Sequence, residues 1–200
     1  MIVEPAYFDQ MYAASADPWG FTSRWYEKRK YAITLAMLPR ERYAQAFEPG
    51  CSIGVMTEQL APRCSRLLSC DVAEAAVHAA ARRNAGQPGV RVEHRVLPGD
   101  WPAGEFDLIV FSEFLYYFGG ENLRQVLDLS VAALRPGGNL LAVHWRHPVP
   151  EYPRSGDNVH EVLAGQAGLS VIAEHREADF VAEVYRRGEP VSVAQATGLA

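Results

Sequence analysis

The sequence predicts an α/β fold, a mostly parallel β-sheet with helices on both faces and an antiparallel hairpin at its end. Short apolar segments typical of strands alternate with helical patterns through most of the 200 residues, and this alternation indicates a parallel sheet. Near the C-terminus, two strand-like segments follow each other without a helix, which favours an antiparallel pair. Five alternating strands and two hairpin strands give seven in all.

The composition indicates one globular domain over 1–200, with 48% hydrophobic and 22% charged residues. No apolar run approaches the roughly 18 residues of a membrane span, and the first residues lack a secretory signal. The net charge of −5 disfavours a nucleic-acid surface. Three cysteines without CxxC spacing suggest neither a disulfide framework nor a metal site. We therefore expect a cytoplasmic protein without membrane or nucleic-acid partners; nothing in the sequence sets its oligomeric state.

Residues 1–40 predict a helical flap or lid. Aromatic and apolar side chains at 7, 8, 11 and 12 share one face of a short helix, and a turn at 17–21 carries Trp19, which either packs the loop or covers a ligand. A second helix spans 23–38, capped by Thr22 or Ser23. Its run of cations at 28–30 is either a solvated face or supplies one ligand contact, for which Arg29 is favoured because guanidinium binds carboxylates bidentately.

The predicted core covers 41–187, followed by a frayed tail at 188–200. Its strands fall at 44–47, 66–70, 90–95, 106–111, 139–145, 169–175 and 180–186, and its helices at 55–60, 73–83, 122–134 and 157–167. The segment 106–111 is the most hydrophobic, so we expect it at the centre of the sheet.

Polar residues follow four of these strands, where ligands bind to open parallel sheets. They are Glu48 with its glycine turn, Asp71, the pair Asp100 and Trp101, and the pair Ser112 and Glu113. Asp71 lies at the spacing from the turn at which an acid meets ribose hydroxyls.

The glycine turn reads GxxxG between Gly50 and Gly54, with Ser52 where a dinucleotide motif carries its middle glycine. Glu48 would repel a diphosphate and favour a cationic ligand. A nicotinamide-dependent oxidoreductase therefore stays only as an alternative, beside a non-catalytic binding module.

In combination, these motifs resemble those of the class I S-adenosylmethionine-dependent methyltransferases. EPGCSIG is similar to the E/DxGxGxG signature, FDLIVFSEFLYYF to the fourth-strand motif and LRPGGNLLAV to the fifth-strand turn. The resemblance covers about 44–187 and implies a Rossmann-like seven-stranded sheet that binds S-adenosyl-L-methionine.

A narrower resemblance links DPWGF…WYEKRK and HWRHPVPEYPRSGDNVHEVL to the nodulation (NodS-like) methyltransferases. It implies N-methylation of the free amine of a de-N-acetylated chitooligosaccharide. Another amino sugar, a small-molecule amine or a hydroxyl acceptor remain open alternatives.

The resemblance also implies roles for single residues. Gly50, Cys51 and Gly54 would contact the methionine part of the cofactor through their backbone, with Glu48 fixing the turn or the cofactor's amino group. Asp71 would bind the ribose and Val72 lie beside the adenine, while Asp100 and Trp101 would hold the adenine edge. Ser112 ends the fourth strand in the same predicted site.

The acceptor amine must lose a proton before it can attack. Glu113 is the first candidate to bind or deprotonate it, because it follows the fourth strand beside two tyrosines. His144 and His147, at the exit of the fifth strand, are the other candidate bases, although each could equally be a hydrogen-bonded structural residue.

Overall fold

The structure is a computed structural model that describes residues 2–200, and one seven-stranded sheet forms its centre. The strands are β1 (Ala46–Pro49), β2 (Leu67–Asp71), β3 (Val90–His94), β4 (Phe106–Ser112), β5 (Leu134–Trp145), β6 (Leu169–Arg176) and β7 (Phe180–Arg187). They are ordered β3-β2-β1-β4-β5-β7-β6, and β7 runs antiparallel to both β5 and β6, while the other paired strands are parallel. The predicted mostly parallel sheet with a terminal antiparallel hairpin is confirmed.

The helices are α1 (Pro5–Ala14), α2 (Trp25–Ala36), α3 (Val55–Leu60), α4 (Glu74–Arg83), α5 (Gly120–Ala133), α6 (Gly156–Ala164) and α7 (Val193–Ala196). The predicted helices are confirmed to within a few residues. The N-cap of α2 is Arg24, without a side-chain cap, and not Thr22 or Ser23 as predicted. The tail contains α7, which a Ser192–Gln195 capping box begins.

Strand β4 lies in the middle of the sheet, as its hydrophobicity predicts. Its side chains alternate between two cores: Ile109 and Phe111 pack beneath α5 and α6, whereas Leu108 and Val110 pack on the opposite face, with residues of α2 and α3. Both faces of the strand are buried, which explains why its sequence is apolar without interruption.

The order of the strands reverses between β1 and β4. After β1 the chain adds β2 and β3 on one side, then returns to place β4 on the other side of β1. The carboxyl ends of β1 and β4 therefore border a crevice, the usual ligand position in such sheets.

The N-terminal segment lies across this crevice. Ile2 forms a bridge with Phe118, and the Val3 N–H donates to the Tyr117 carbonyl at 3.0 Å, so α1 begins beside the loop that follows β4. The division of the chain into flap, core and tail stays a prediction. Within residues 2–200, no helix combines the length and apolar character that crossing a membrane requires.

Candidate active site

A cavity of about 740 Å³ opens at the carboxyl ends of β1, β2 and β4. Some of the residues that the sequence predicts for the site line it: Trp19, Gly50, Ser52, Asp71, Val72, Ser112 and Glu113. The others lie outside its walls: Arg29, Glu48, Cys51, Gly54, Asp100, Trp101, His144 and His147. Much of the remaining wall is aromatic, with contributions from Tyr12, Phe21, Tyr26, Tyr116, Trp145 and Tyr152.

The turn after β1 brings backbone to the cavity at Gly50. This residue has φ 71°, and a Cβ placed on it would lie 2.5 Å from Cδ2 of Phe114, so only glycine fits. Gly54 serves packing instead, because a Cβ there would lie 2.8 Å from Cα of Ala80 in α4. Cys51 is buried and does not face the cavity. Direct ligand contact therefore fits Gly50 best among these three.

Asp71 holds the glycine turn in place. One carboxylate oxygen accepts from the Ser52 N–H at 2.8 Å, and the other accepts from the Ala73 N–H at 3.0 Å. Burial raises the pKa of Asp71, although these backbone N–H groups oppose the rise. The carboxylate thus joins β2 to the turn and still borders the cavity.

Ser52 adopts a left-handed conformation with φ 50°, which explains how it occupies a position that glycine takes in the related signature. Its hydroxyl lies 2.5 Å from the Tyr12 hydroxyl of α1. The ring of Tyr12 in turn packs edge-on against Trp19, with centroids 5.7 Å apart. The serine therefore ties the N-terminal helix to the glycine turn, and Trp19 joins this cover over the cavity.

Glu48 lies beneath the turn and not in the cavity wall. Its Oε2 accepts from the Thr57 hydroxyl at 2.6 Å and from the Ser69 hydroxyl at 2.8 Å. Burial raises the pKa of Glu48 to about 7, in spite of these two hydrogen bonds. The predicted contact with a cofactor amino group does not fit this position, whereas a role in fixing the turn does.

The loop before β4 corrects the prediction for Asp100 and Trp101. The Asp100 carboxylate accepts from the Val96 N–H at 2.9 Å and so closes the loop on itself. Trp101 packs edge-on against Phe47, with centroids 5.3 Å apart. The cavity is lined here by Arg95, Val96 and Leu97 instead. The sequence shows an acid next to an aromatic residue in this loop, but it does not show which side chains of the loop face the cavity.

Helix α2 directs Lys30 inward, not Arg29. Arg29 is largely exposed and pairs with Glu177 at 2.8 Å, which corrects its predicted ligand contact. Lys30 is buried, with Nζ 2.6 Å from Oε1 of Glu113 and 2.9 Å from Oε2 of Glu27. Burial alone would lower the pKa of Lys30, but the charges of Glu113 and Glu27 outweigh it and raise the pKa.

Glu113 lines the cavity after β4, and three donors of the protein itself already bind its carboxylate. Oε1 accepts from Lys30, while Oε2 accepts from the Tyr116 hydroxyl at 2.7 Å and the Trp145 N–H at 2.8 Å. Its φ of 54° is unusual for a residue with a side chain. A carboxylate held by three donors is well suited to position its neighbours.

His144 is fully buried and points away from the cavity. Its Nε2 accepts from the Leu115 N–H at 3.1 Å, so its proton is on Nδ1, which lies 3.0 Å from Nε2 of His160. His160 continues the chain to Glu183 at 2.6 Å. Burial lowers the pKa of His144 well below its ordinary value. This corrects the prediction of His144 as a base, because the nitrogen that could take a proton, Nε2, already accepts a hydrogen bond from the Leu115 N–H.

His147 also lies outside the cavity, exposed and 2.8 Å from Oδ1 of Asp179. Its ring packs against Trp145, with centroids 4.6 Å apart. Because successive side chains of a strand point to opposite faces, Trp145 reaches the cavity while His144 faces α6. The proposed base at His147 therefore does not fit the site.

Glu27 and Lys30 are buried charged residues of the cavity wall; the sequence did not single out Glu27, and within the cation run at 28–30 it favoured Arg29 over Lys30. With Tyr31 and Thr34 they form the buried stripe of α2, at the spacing i, i+3, i+4 and i+7. One turn back from Tyr31 and Thr34 on this stripe lie Glu27 and Lys30.

The chain is similar to proteins of one family along most of its length. The model of the family described as nodulation protein S (NodS) matches residues 9–153. Nodulation protein S of Rhizobium tropici is 35% identical over 132 residues, 64% of this chain and 55% of the relative. The protein of the same name from Bradyrhizobium diazoefficiens is 35% identical over 127 residues, 63% of this chain and 58% of the relative. The chain thus spans just over half the length of the curated relatives it matches.

Two solved structures are similar over more of the chain. A candidate methyltransferase from Pseudomonas syringae is 46% identical with a TM-score of 0.74, covering 82% of this chain and all of that one. The N-methyltransferase NodS from Bradyrhizobium japonicum, crystallised with S-adenosyl-L-homocysteine, is 25% identical with a TM-score of 0.83. That match covers 92% of this chain and 99% of the other.

Proposed function

Because the chain belongs to the nodulation protein S family, we propose that it is an S-adenosylmethionine-dependent N-methyltransferase. Its acceptor in this proposal is the free amine of an amino sugar, such as a de-N-acetylated chitooligosaccharide. A similar protein is named N-methyltransferase NodS and was crystallised with S-adenosyl-L-homocysteine. The expected cytoplasmic location is part of the same proposal.

The observation that carries the proposal is the position of Asp71. Its carboxylate ends β2, borders the cavity and lies next to the backbone of the glycine turn. A carboxylate there suits the paired hydroxyls of a ribose, and Gly50 leaves room for a ligand beside the backbone. Val72, Val96 and Leu97 supply an apolar wall next to it, which suits an adenine ring. The residues present therefore fit S-adenosylmethionine.

The bound cofactor would supply an already activated methyl group, so this chain has mainly to align the acceptor and exclude water. The N-terminal segment supports the second task, because Tyr7, Phe8 and Tyr12 of α1 line the cavity. The hydrogen bond between Tyr12 and Ser52 fastens this cover to the turn that holds the cofactor.

The acceptor side of the cavity suits an amino sugar. Tyr26, Tyr116, Trp145 and Tyr152 offer apolar ring faces with polar edges, a surface on which the apolar face of a sugar ring packs. The buried charges there are two carboxylates against one ammonium, which favours a cationic ligand. A smaller amine would meet the same chemistry, and it is the second acceptor class to test.

Transfer of labelled methyl from S-adenosylmethionine tests the proposal, with mass spectrometry to identify the product. The acceptors compared are glucosamine oligomers, their N-acetylated counterparts, simple amines and phenols. We expect labelling of the free-amine sugars and none of the N-acetylated ones. If only phenols were labelled, the acceptor would be a hydroxyl group and the proposed amine acceptor would be wrong. Binding of NAD but not of S-adenosylmethionine in a thermal-shift assay would contradict the cofactor.

A further inference from the structure

We propose that Glu27 binds the ammonium of the acceptor and takes the proton that must leave before methyl transfer. This inference rests on the proposed N-methyltransferase function and assigns its amine site. Glu27 lies in the cavity wall, and only 8% of its side chain is exposed. It stands on α2, on the same side of the cavity as Glu113 and Tyr26.

The carboxylate of Glu27 has hydrogen-bonding capacity to spare. Its Oε2 pairs with Nζ of Lys30 at 2.9 Å, and no other donor within residues 2–200 forms a hydrogen bond to this carboxylate. A buried carboxylate can accept more than this one contact, and a ligand that donates to it would complete its hydrogen bonding. An ammonium has three donors, so it would complete this site.

The charges around Glu27 favour a cation. The charges that act on its carboxyl group are those of Lys30, Glu113 and Arg24, and Glu4, Asp71 and Arg95 line other parts of the same cavity. Lys30 offsets only one of the two carboxylates it contacts. Arg24 is an exposed residue, so water weakens its effect inside the cavity.

The raised pKa of Glu27 also supports its role as the proton acceptor. Burial raises the pKa of this carboxyl, and the charge of Glu113 adds to the rise, while Lys30 and Arg24 oppose it. A base whose pKa moves towards neutral pH is a better proton acceptor than an ordinary glutamate. The carboxylate of Glu113 already accepts from three donors, so it offers less room for an ammonium than the carboxylate of Glu27 does.

The step balances without a further reactant. The ammonium gives one proton to Glu27, and the neutral nitrogen keeps its lone pair. That pair forms the new N–C bond to the methyl carbon while the C–S bond breaks and its electrons stay on the sulfur. The products are a methylated ammonium and a neutral thioether, and Glu27 releases its proton to solvent.

The test is Glu27→Gln, which keeps the size of the side chain and removes its charge. We expect S-adenosyl-L-homocysteine to bind as in the wild type, while glucosamine binds the complex at least about 10-fold more weakly by calorimetry. We expect kcat/KM at neutral pH to fall about 10²-fold or more, the usual loss for a general base. The matched control, Glu121→Gln, changes an exposed carboxylate in α5 and should leave both measurements unchanged.

A pH profile separates chemistry from structure. If Glu27 takes the proton, the activity of Glu27→Gln should recover as pH rises and solvent deprotonates the amine, up to the pKa of the amine itself. Glu27→Asp should restore part of kcat. A loss of the same factor at every pH would overturn the proton-acceptor role, as would an unchanged kcat/KM.

Failure of the proposed function would look different. If the wild type methylates no amine but binds glucosamine in a manner that requires Glu27, the methyl transfer is refuted and the ammonium site stands. If the wild type methylates amines and Glu27→Gln does so equally well, the methyltransferase stands and this inference is refuted.

Discussion

Asp71 connects the local structure of the turn to the proposed cofactor site. Replacing it with alanine removes two charge-assisted contacts to backbone N–H groups as well as the carboxylate that faces the ribose in the proposal. Hydrogen bonds to a charged group contribute about 1.5–3 kcal/mol each, so we expect Asp71→Ala to weaken S-adenosyl-L-homocysteine binding about 10- to 100-fold. Isothermal titration calorimetry measures this, and circular dichroism checks that the fold is kept.

The matched control for Asp71 is Asp100→Ala. Asp100 also ends a predicted ligand loop, but its carboxylate binds the Val96 N–H and does not line the cavity. Its loss should change the affinity less than about 3-fold, because no contact of the proposed site is removed. Equal losses in both variants would contradict the position assigned to the ribose.

Glu48 makes stability depend on pH in an unusual direction. Burial raises its pKa from 4.5 to about 7, so between these values the folded chain holds a proton that the unfolded chain has released. The free energy of unfolding therefore falls as pH rises from about 4.5 to 7. At about 1.4 kcal/mol per pKa unit, the contribution is roughly 3 kcal/mol.

Urea unfolding of the wild type and Glu48→Gln between pH 5 and 8 checks this prediction. The variant lacks the titrating group, so its stability should fall less over this range. Glu27, whose pKa burial also raises, acts alike in both proteins and cancels in the difference, whereas Asp71 contributes only through its charge interaction with Glu48. Parallel curves for the two proteins would contradict it.

At the scale of elements, the join between β1 and α3 depends on Gly50. An alanine there would combine φ 71° with a contact of 2.5 Å to the Phe114 ring, and strain of each kind costs about 1–3 kcal/mol. We expect Gly50→Ala to lower the free energy of unfolding by about 2–6 kcal/mol in urea. Gly86→Ala is the control, since nothing lies within 4 Å of its added Cβ. A similar effect of both changes would show that the turn tolerates a side chain.

The order and type of the helices and strands were predictable because each is indicated by residues within its own segment of the sequence. Turn chemistry ended the helices and strands, and the uninterrupted apolar run of β4 marked the centre of the sheet. The orientation of single side chains was less predictable. One residue along α2 turns a side chain by about 100°, which separates inward Lys30 from outward Arg29. On β5, a shift of one residue exchanges Trp145 for His144.

The same distinction divides the site. Asp71 and Gly50 are placed by backbone geometry, which motifs report well. The prediction for Asp100 was wrong because its carboxylate binds the backbone of its own loop. The prediction for His144 was wrong because its ring faces the core and contacts His160 of α6. Glu27 escaped notice because a charged residue on a helix is ordinarily solvated. Only the fold reveals the carboxylate and ammonium groups that make its burial possible.

At the scale of the whole molecule, Lys30 couples the N-terminal part of the chain to the sheet. It joins α2 to the residue after β4 through Glu113, and removing one member of a buried ion cluster costs about 3–5 kcal/mol. We expect Lys30→Met to lower the free energy of unfolding by this amount in urea. Exposed Lys28→Met, on the same helix, should stay within about 0.5 kcal/mol of wild type. A loss below about 1 kcal/mol for Lys30→Met would mean that the two carboxylates are neutral or solvated without it.

In the proposed function, the whole molecule brings a cationic amine to an activated methyl group beneath an N-terminal cover. The most direct test uses a chitooligosaccharide with one free amine and S-adenosylmethionine labelled with ¹³C in its methyl group. Heteronuclear NMR of the product then locates the label. We predict a methyl carbon bonded to that nitrogen. Label on a hydroxyl oxygen, or no label on this sugar while other acceptors are methylated, would contradict the proposed N-methylation of an amino sugar.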